Sequence, residues 1–134
     1  MPTIKTIYQG DLRTHITHVA SGQNVITDAP IDNQGKGEAI SPTDMLSASL
    51  GSCMLTIMGI AARTHSIPLE GTKVDIKKIM ANDPRRIGEV AVTFHFPNVN
   101  YTDKEKKILE RAALNCPVYK SLSADLLKTV NFYW

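Results

Sequence analysis

A chain of 134 residues suits one folded domain spanning residues 1–134 and is too short for two independent ones. Its 43% hydrophobic and 21% charged residues lie near globular averages and exclude a disordered chain. Fifteen Lys plus Arg against thirteen Asp plus Glu give a net charge of +2, and the basic residues are scattered apart from Lys77-Lys78, Arg85-Arg86 and Lys104/Lys106/Lys107, so no nucleic-acid partner is expected.

The amino terminus, Met1-Pro2-Thr3-Ile4-Lys5, lacks the apolar core and small-residue cleavage site of an export signal, so a cytoplasmic location is expected. Thr3 to Gln9, Asp11 to Ala20 and Gln23 to Asp28 read as strands, with Gly10 and Gly22 marking the turns. In the second strand Leu12 and Ile16 share a face, and the period of two sends Arg13, His15 and Thr17 to the opposite one. Asp28 to Ser41 contains Pro30, Asn33, Gly35 and Gly37, a loop long enough to serve as a lid.

Ser41-Pro42-Thr43-Asp44 starts a helix: a serine cap, proline at the first helical position and an acid three residues after the cap. The helix should run to about Thr64. Met45 to Ala62 is uncharged and long enough to raise the question of a membrane span, but Ser47, Ser49, Ser52, Thr56, Gly51 and Gly59 dilute it, and a buried core helix is expected instead. Nearly every direction around it is apolar or small, so it must be enclosed on most sides. A chain this short has few ways to do so alone, and Ser47, Gly51 and Ser52 would admit another helix at close range. Burial in a dimer is the expectation.

Thr72, Val74 and Ile76, and then Val90, Val92, Phe94 and Phe96, alternate with polar or small residues as two half-buried strands. Asn82-Asp83-Pro84 supplies the turn of an antiparallel hairpin. Thr102-Asp103-Lys104-Glu105 gives a second capping box, followed by Ile108, Leu109, Ala112 and Ala113 at helical spacing as far as Asn115-Cys116-Pro117. Pro117 opens a further short helix with Cys116 at its cap, and Val130, Phe132 and Trp134 close the chain as a strand. The order β-β-β-α-β-β-α-α-β predicts an α+β fold with largely antiparallel sheets packed against the long central helix.

Two cysteines in a reducing compartment disfavour a permanent disulfide and leave a transient, catalytic one open. Taken alone, Cys53 inside an apolar helix is most simply a small core residue, and Cys116 on the apolar face of the next helix is the same. What distinguishes Cys116 is the cap position before Pro117, where a helix amino terminus favours thiolate. His15, His18, His65 and His95 lie on different elements without ligand spacing, so no metal is expected. No glycine-rich phosphate loop is present, and no organic cofactor is implied.

The run Ser41-Pro42-Thr43-Asp44-Met45-Leu46-Ser47-Ala48-Ser49-Leu50-Gly51-Ser52-Cys53 resembles the central helix of the OsmC and organic hydroperoxide resistance family, and Asn115-Cys116-Pro117-Val118 resembles its second cysteine motif, 63 positions on. The resemblance covers nearly the whole chain. It implies an intertwined homodimer with two active sites at the subunit interface. Cys53 would be the peroxidatic thiol and Cys116 the resolving one, reducing organic hydroperoxides, and hydrogen peroxide less well, at the expense of a dithiol or protein reductant. The family uses an arginine on its amino-terminal β segment to support the thiolate, and Arg13 matches it. Its peroxidases place a glutamate just after the helix-opening proline to orient that arginine; here Thr43 stands there with Asp44 next, and Asp44 either substitutes or only caps the helix. Met45, Leu50, Met54, Met58 and Tyr119 are the expected lining of an apolar substrate pocket. Two other classes fit the same sequence: a non-catalytic stress protein that binds a small apolar ligand in the dimer cleft, and thiol–disulfide exchange with a protein partner, which the lack of Cys-x-x-Cys disfavours.

Overall fold

In the computed structural model, which describes residues 1–134, the chain separates into two units, residues 1–45 and 46–134. The first is a three-stranded antiparallel sheet of β1 (Ile4–Gly10), β2 (Arg13–His18) and β3 (Asn24–Asp28), in that order. The β1–β2 turn passes through Gly10, Asp11 and Leu12, with φ of 89°, 53° and 62°. Leu12 therefore belongs to the turn and is exposed, instead of sharing a strand face with Ile16. At the other end of β2, Gly22 takes the left-handed conformation that its missing side chain permits. The Gly22 N–H donates to the His18 carbonyl at 2.8 Å, and the tight turn fixes a register in which Arg13 faces Asp28.

The segment after β3 is folded back on its own ends, not free as a lid would be. The Asp28 N–H donates to the Ile40 carbonyl at 3.1 Å, the Ala29 N–H to the Leu12 carbonyl at 3.1 Å and the Gly37 N–H to the Ala29 carbonyl at 3.2 Å. A 3₁₀ turn occupies Ile31–Asn33. Gly35 is indispensable to this path, because a Cβ there would stand 1.8 Å from the Ala29 carbonyl oxygen. No apolar side chain of this unit is fully buried; Thr27, Asp28 and Ser41 are, while Ile4, Ile7, Tyr8, Val25 and Ile26 are exposed.

Helix α1 (Pro42–His65) starts in the first unit and continues into the second. Its first turn is closed reciprocally: the Asp44 N–H donates to Ser41 Oγ at 3.0 Å and the Ser41 N–H donates to Asp44 Oδ2 at 3.2 Å. In the second unit β4 (Lys73–Ala81) and β5 (Arg86–His95) form the expected antiparallel hairpin. Helix α2 (Asp103–Leu114) starts at a capping box of Thr102 and Glu105, α3 (Pro117–Ser121) follows, and β6 (Leu127–Tyr133) pairs parallel with β5. The sheets are thus largely antiparallel with one parallel pair. The two helices between β5 and β6 provide the crossover that parallel pairing demands.

One stripe of α1, Ser47, Leu50, Gly51, Met54, Met58 and Ala62, is buried. Leu50, Met54 and Met58 join Val90, Val92 and Phe94 of β5 and Leu109, Ala113 and Cys116 in one core. Gly51, expected to admit another helix, instead lets α1 approach β4: a Cβ there would lie 2.4 Å from Ile76 Cδ1. The opposite side of α1 is open within the chain, with Ile60 57% exposed. The enclosure that the apolar composition predicts is therefore only partly met by the chain itself.

Candidate active site

The second unit brings Cys53 and Cys116 together. Helix α1 carries Cys53 on the flank of its buried stripe, where the side chain is half-buried and packs against the core. The turn between α2 and α3 carries Cys116, wholly buried. Pro117 opens α3, which leaves Cys116 as the cap, and the Tyr119 N–H donates to Cys116 Sγ at 3.3 Å. Both thiols are free.

The capping hydrogen bond does not make Cys116 a thiolate. Burial, the largest influence, pushes its thiol above the usual range; the Tyr119 N–H pulls it back, and the neighbouring Cys53 side chain pushes it up again. The expected thiolate-favouring effect of the helix end is present and is outweighed by desolvation. A folded-state value above the unfolded one, about 8.5, means that the stability tied to this thiol is fully present below that pH and is lost as pH rises through the folded value. Urea unfolding under reducing conditions is therefore expected to show stability falling from about pH 8.5 upward, and falling less steeply in Cys116→Ala. Equal slopes in the two proteins would contradict this.

In the first unit the structure pairs Arg13 with a residue that the sequence reading did not single out. Arg13 Nε donates to Asp28 Oδ1 at 2.7 Å and Nη2 to Asp28 Oδ2 at 2.8 Å, a two-point clamp. Asp28 is 1% exposed and Arg13 28%. The hydrogen bonds from Arg13 hold the Asp28 carboxyl below its usual range against the opposing effect of burial, and the backbone N–H of Glu38, in the folded-back segment, lowers it further. A depressed carboxyl stays ionised at neutral pH, and its contribution to stability is lost only as pH falls below the ordinary value of about 3.9. The signal was available in the hairpin: counting outward from the Gly22 turn sets Arg13 opposite Asp28.

Asp44 is bound into the α1 cap with Ser41, and Thr43 Oγ1 lies 3.2 Å from Ser41 Oγ. Of the expected pocket lining, Leu50, Met54 and Met58 have no exposure and belong to the core of the chain. Met45 is half-buried, and Tyr119 stands beside Cys116 with its ring under Lys128 Nζ, 5.3 Å from the centroid. A groove of about 570 Å³ lies along Leu55, Gly59, Ile60 and Arg63 of α1 and the Ile67–Thr72 connection, and includes neither cysteine. No group of three or more His, Cys, Asp or Glu side chains is arranged to hold a metal ion.

Comparison with known proteins gives this arrangement a context. Residues 35–129 match the family model described as OsmC-like protein. A crystal structure from Psychrobacter arcticus 273-4, provisionally named an osmotic stress induced and detoxification response protein, is 52% identical, with a TM-score of 0.94 over 99% of this chain and 96% of that one. An organic hydroperoxide resistance protein OsmC from Legionella pneumophila aligns with a TM-score of 0.78 at 16% identity, over 98% and 95% of the two chains. One from Elizabethkingia anophelis, an organic hydroperoxide resistance protein with thiocyanate bound, aligns at 0.69 and 19% identity, over 98% and 96%. Among proteins with curated descriptions none matches the sequence.

Proposed function

This chain belongs to the OsmC-like protein family, and from that premise we propose that it is a thiol-dependent peroxidase of organic hydroperoxides, with Cys53 as the attacking thiol and Cys116 as the resolving one. The observation that carries the proposal is the meeting of two free cysteines with unlike surroundings: Cys53 half-buried on the flank of α1, and Cys116 wholly buried, its thiol pushed up by burial and by the neighbouring Cys53. The Cys53 thiolate attacks the outer oxygen of the hydroperoxide, the O–O bond breaks, and the alkoxide leaves and takes up a proton as the alcohol. The resulting sulfenic acid condenses with the Cys116 thiol, releasing water and forming a disulfide. A dithiol or protein reductant then returns both thiols. Arg13 is the cation that the resemblance assigns to support the thiolate and the developing oxyanion.

The protein acts as a homodimer in the cytoplasm on this reading. Support comes from the first unit, whose sheet leaves Ile4, Ile7, Tyr8 and Ile26 exposed and buries no apolar side chain of its own, and from the open side of α1. A second copy would cover such surfaces.

A preference for organic over hydrogen peroxide is expected, since each buried methylene of an alkyl group contributes about 0.8 kcal/mol. Dithiol-coupled turnover of hydrogen peroxide, tert-butyl hydroperoxide and cumene hydroperoxide should show kcat/KM rising along the series. No gain across it would remove the organic substrate class. A second reading, binding of a small apolar ligand without turnover, is favoured by Thr43 in place of the family's glutamate and by the groove along Ile60, whose lining includes neither cysteine. It predicts thiols that stay unreacted with every member of the series.

A further inference from the structure

We infer that Lys128 is a positioning residue for the resolving step, holding helix α3 so that Cys116 meets the oxidised Cys53. The inference rests on the peroxidase reading for its consequence and on contacts within residues 46–134 for its content. Strand β6 carries an anomaly. Its period of two puts Lys128 on the same face as Val130 and Phe132, which pack against the core, and the register partner of Lys128 is the fully buried Val90. A lysine is rare on such a face unless its ammonium has partners. Lys128 has three: Nζ donates to the Ser123 carbonyl at 3.1 Å and to the Leu126 carbonyl at 3.0 Å, and it lies 5.3 Å from the centroid of the Tyr119 ring.

All three partners belong to the segment that follows Cys116. Cys53 needs no such tether, because the 24-residue α1 that carries it is anchored in the core through Leu50, Met54 and Met58. Cys116 instead caps α3, five residues long and too short to be stable on its own. The tether reaches it by two routes. Tyr119, whose ring lies under the ammonium, donates its N–H to Cys116 Sγ; and Ser123 directly follows Leu122, whose N–H closes the helix on the Val118 carbonyl at 3.2 Å. At the base of the tether, Thr129 Oγ1 donates to Glu89 Oε2 at 2.6 Å, which fixes this end of β6 to β5. In the resolving step the Cys116 sulfur attacks the sulfur of the Cys53 sulfenic acid; the S–S bond forms as the S–O bond breaks, and the departing hydroxide takes the Cys116 proton as water. Attack in line with the breaking bond makes this rate sensitive to where α3 sits. The first oxidation involves Cys53 alone and is insensitive to it.

The test compares Lys128→Met, which keeps the apolar stem and removes the ammonium, with Lys128→Arg, which restores a charged donor, and with Lys120→Met, which removes an exposed charge from the end of the same helix. Three quantities are read on the full-length protein: thermal unfolding, the rate at which one equivalent of cumene hydroperoxide is consumed, and the rate at which the Cys53–Cys116 disulfide then forms, with dimedone capturing any sulfenic acid that waits. Lys128→Met should slow disulfide formation by about 10- to 100-fold while peroxide consumption stays within about twofold of wild type, so that dimedone captures more Cys53. Lys128→Arg should recover most of the lost rate. Lys120→Met should match the wild type in both rates.

If Lys128→Met does not fold, Lys128→Gln provides the same comparison, because its amide is uncharged and too short to reach both carbonyls and the ring. A folded Lys128→Met or Lys128→Gln protein with lowered melting temperature but an unchanged rate of disulfide formation overturns the inference and leaves the peroxidase reading intact. A wild-type Cys53 inert to hydroperoxide overturns the peroxidase reading instead, and a glutathione redox buffer then decides on Lys128. The equilibrium between the two thiols and the Cys53–Cys116 disulfide should move toward the thiols by about 10-fold in Lys128→Met, and an unmoved equilibrium overturns the inference.

Discussion

Replacing Cys53 with serine is expected to lower hydroperoxide reduction by about 1000-fold or more, to the level of the uncatalysed dithiol reaction. A serine hydroxyl at the same place keeps the shape of the side chain, but it is not ionised near neutral pH and has no accessible sulfenic acid. The site around it should survive: Cys53 is half-buried on the flank of the α1 stripe, and the core contacts of Leu50, Met54 and Met58 do not depend on it. Unfolding by urea should therefore change little while dithiol-coupled turnover disappears. Turnover within tenfold of wild type in a folded Cys53→Ser protein would remove Cys53 from the chemistry.

The second large effect is expected at Cys116, and it differs in kind. With Cys116→Ser the first oxidation of Cys53 should proceed at about the wild-type rate, because the attacking thiol is intact, but catalysis with a dithiol reductant should fall by roughly 10- to 1000-fold as the sulfenic acid waits for an external thiol. The readout is a burst of one hydroperoxide per subunit followed by slow turnover. Serine is also the conservative choice for the cap, since its oxygen can accept the Tyr119 N–H that Cys116 Sγ accepts at 3.3 Å. Steady turnover at the wild-type rate would show that Cys53 needs no resolving partner in this chain.

The element order was legible because the local signals agreed with one another. The capping boxes at Ser41–Asp44 and Thr102–Glu105 mark the two main helices, and the alternation through Val90, Val92 and Phe94 marks the strand that backs α1. What was not legible depends on pairing across the chain. The parallel union of β5 with β6 cannot be read from the alternation of Val130 and Phe132, which is the same in either direction. Gly51 looks like a site for another helix until Ile76 is seen 2.4 Å from where its Cβ would be. Likewise, helical periodicity puts Leu50, Met54 and Met58 on one stripe without saying whether that stripe meets a cavity or a sheet; here it meets β5.

For the site, the two cysteines were identifiable from their motifs, and the structure adds the asymmetry of their surroundings. Asp28 was missed because an acidic residue at the end of a strand and the start of a loop is ordinary turn chemistry when taken alone. Its significance appears only through the hairpin register that sets it against Arg13. The carboxylate that pairs with Arg13 ends strand β3, fifteen residues before Thr43 in the sequence.

The most direct test of the peroxidase account is intact mass with thiol titration after one equivalent of cumene hydroperoxide, on wild type and on Cys53→Ser. The account predicts loss of two hydrogens and of both titratable thiols in the wild type, through a Cys53–Cys116 disulfide, with the Cys116 thiol of the variant left unreacted. Two intact thiols in the wild type, or oxidation of Cys116 in the variant at the wild-type rate, would contradict it.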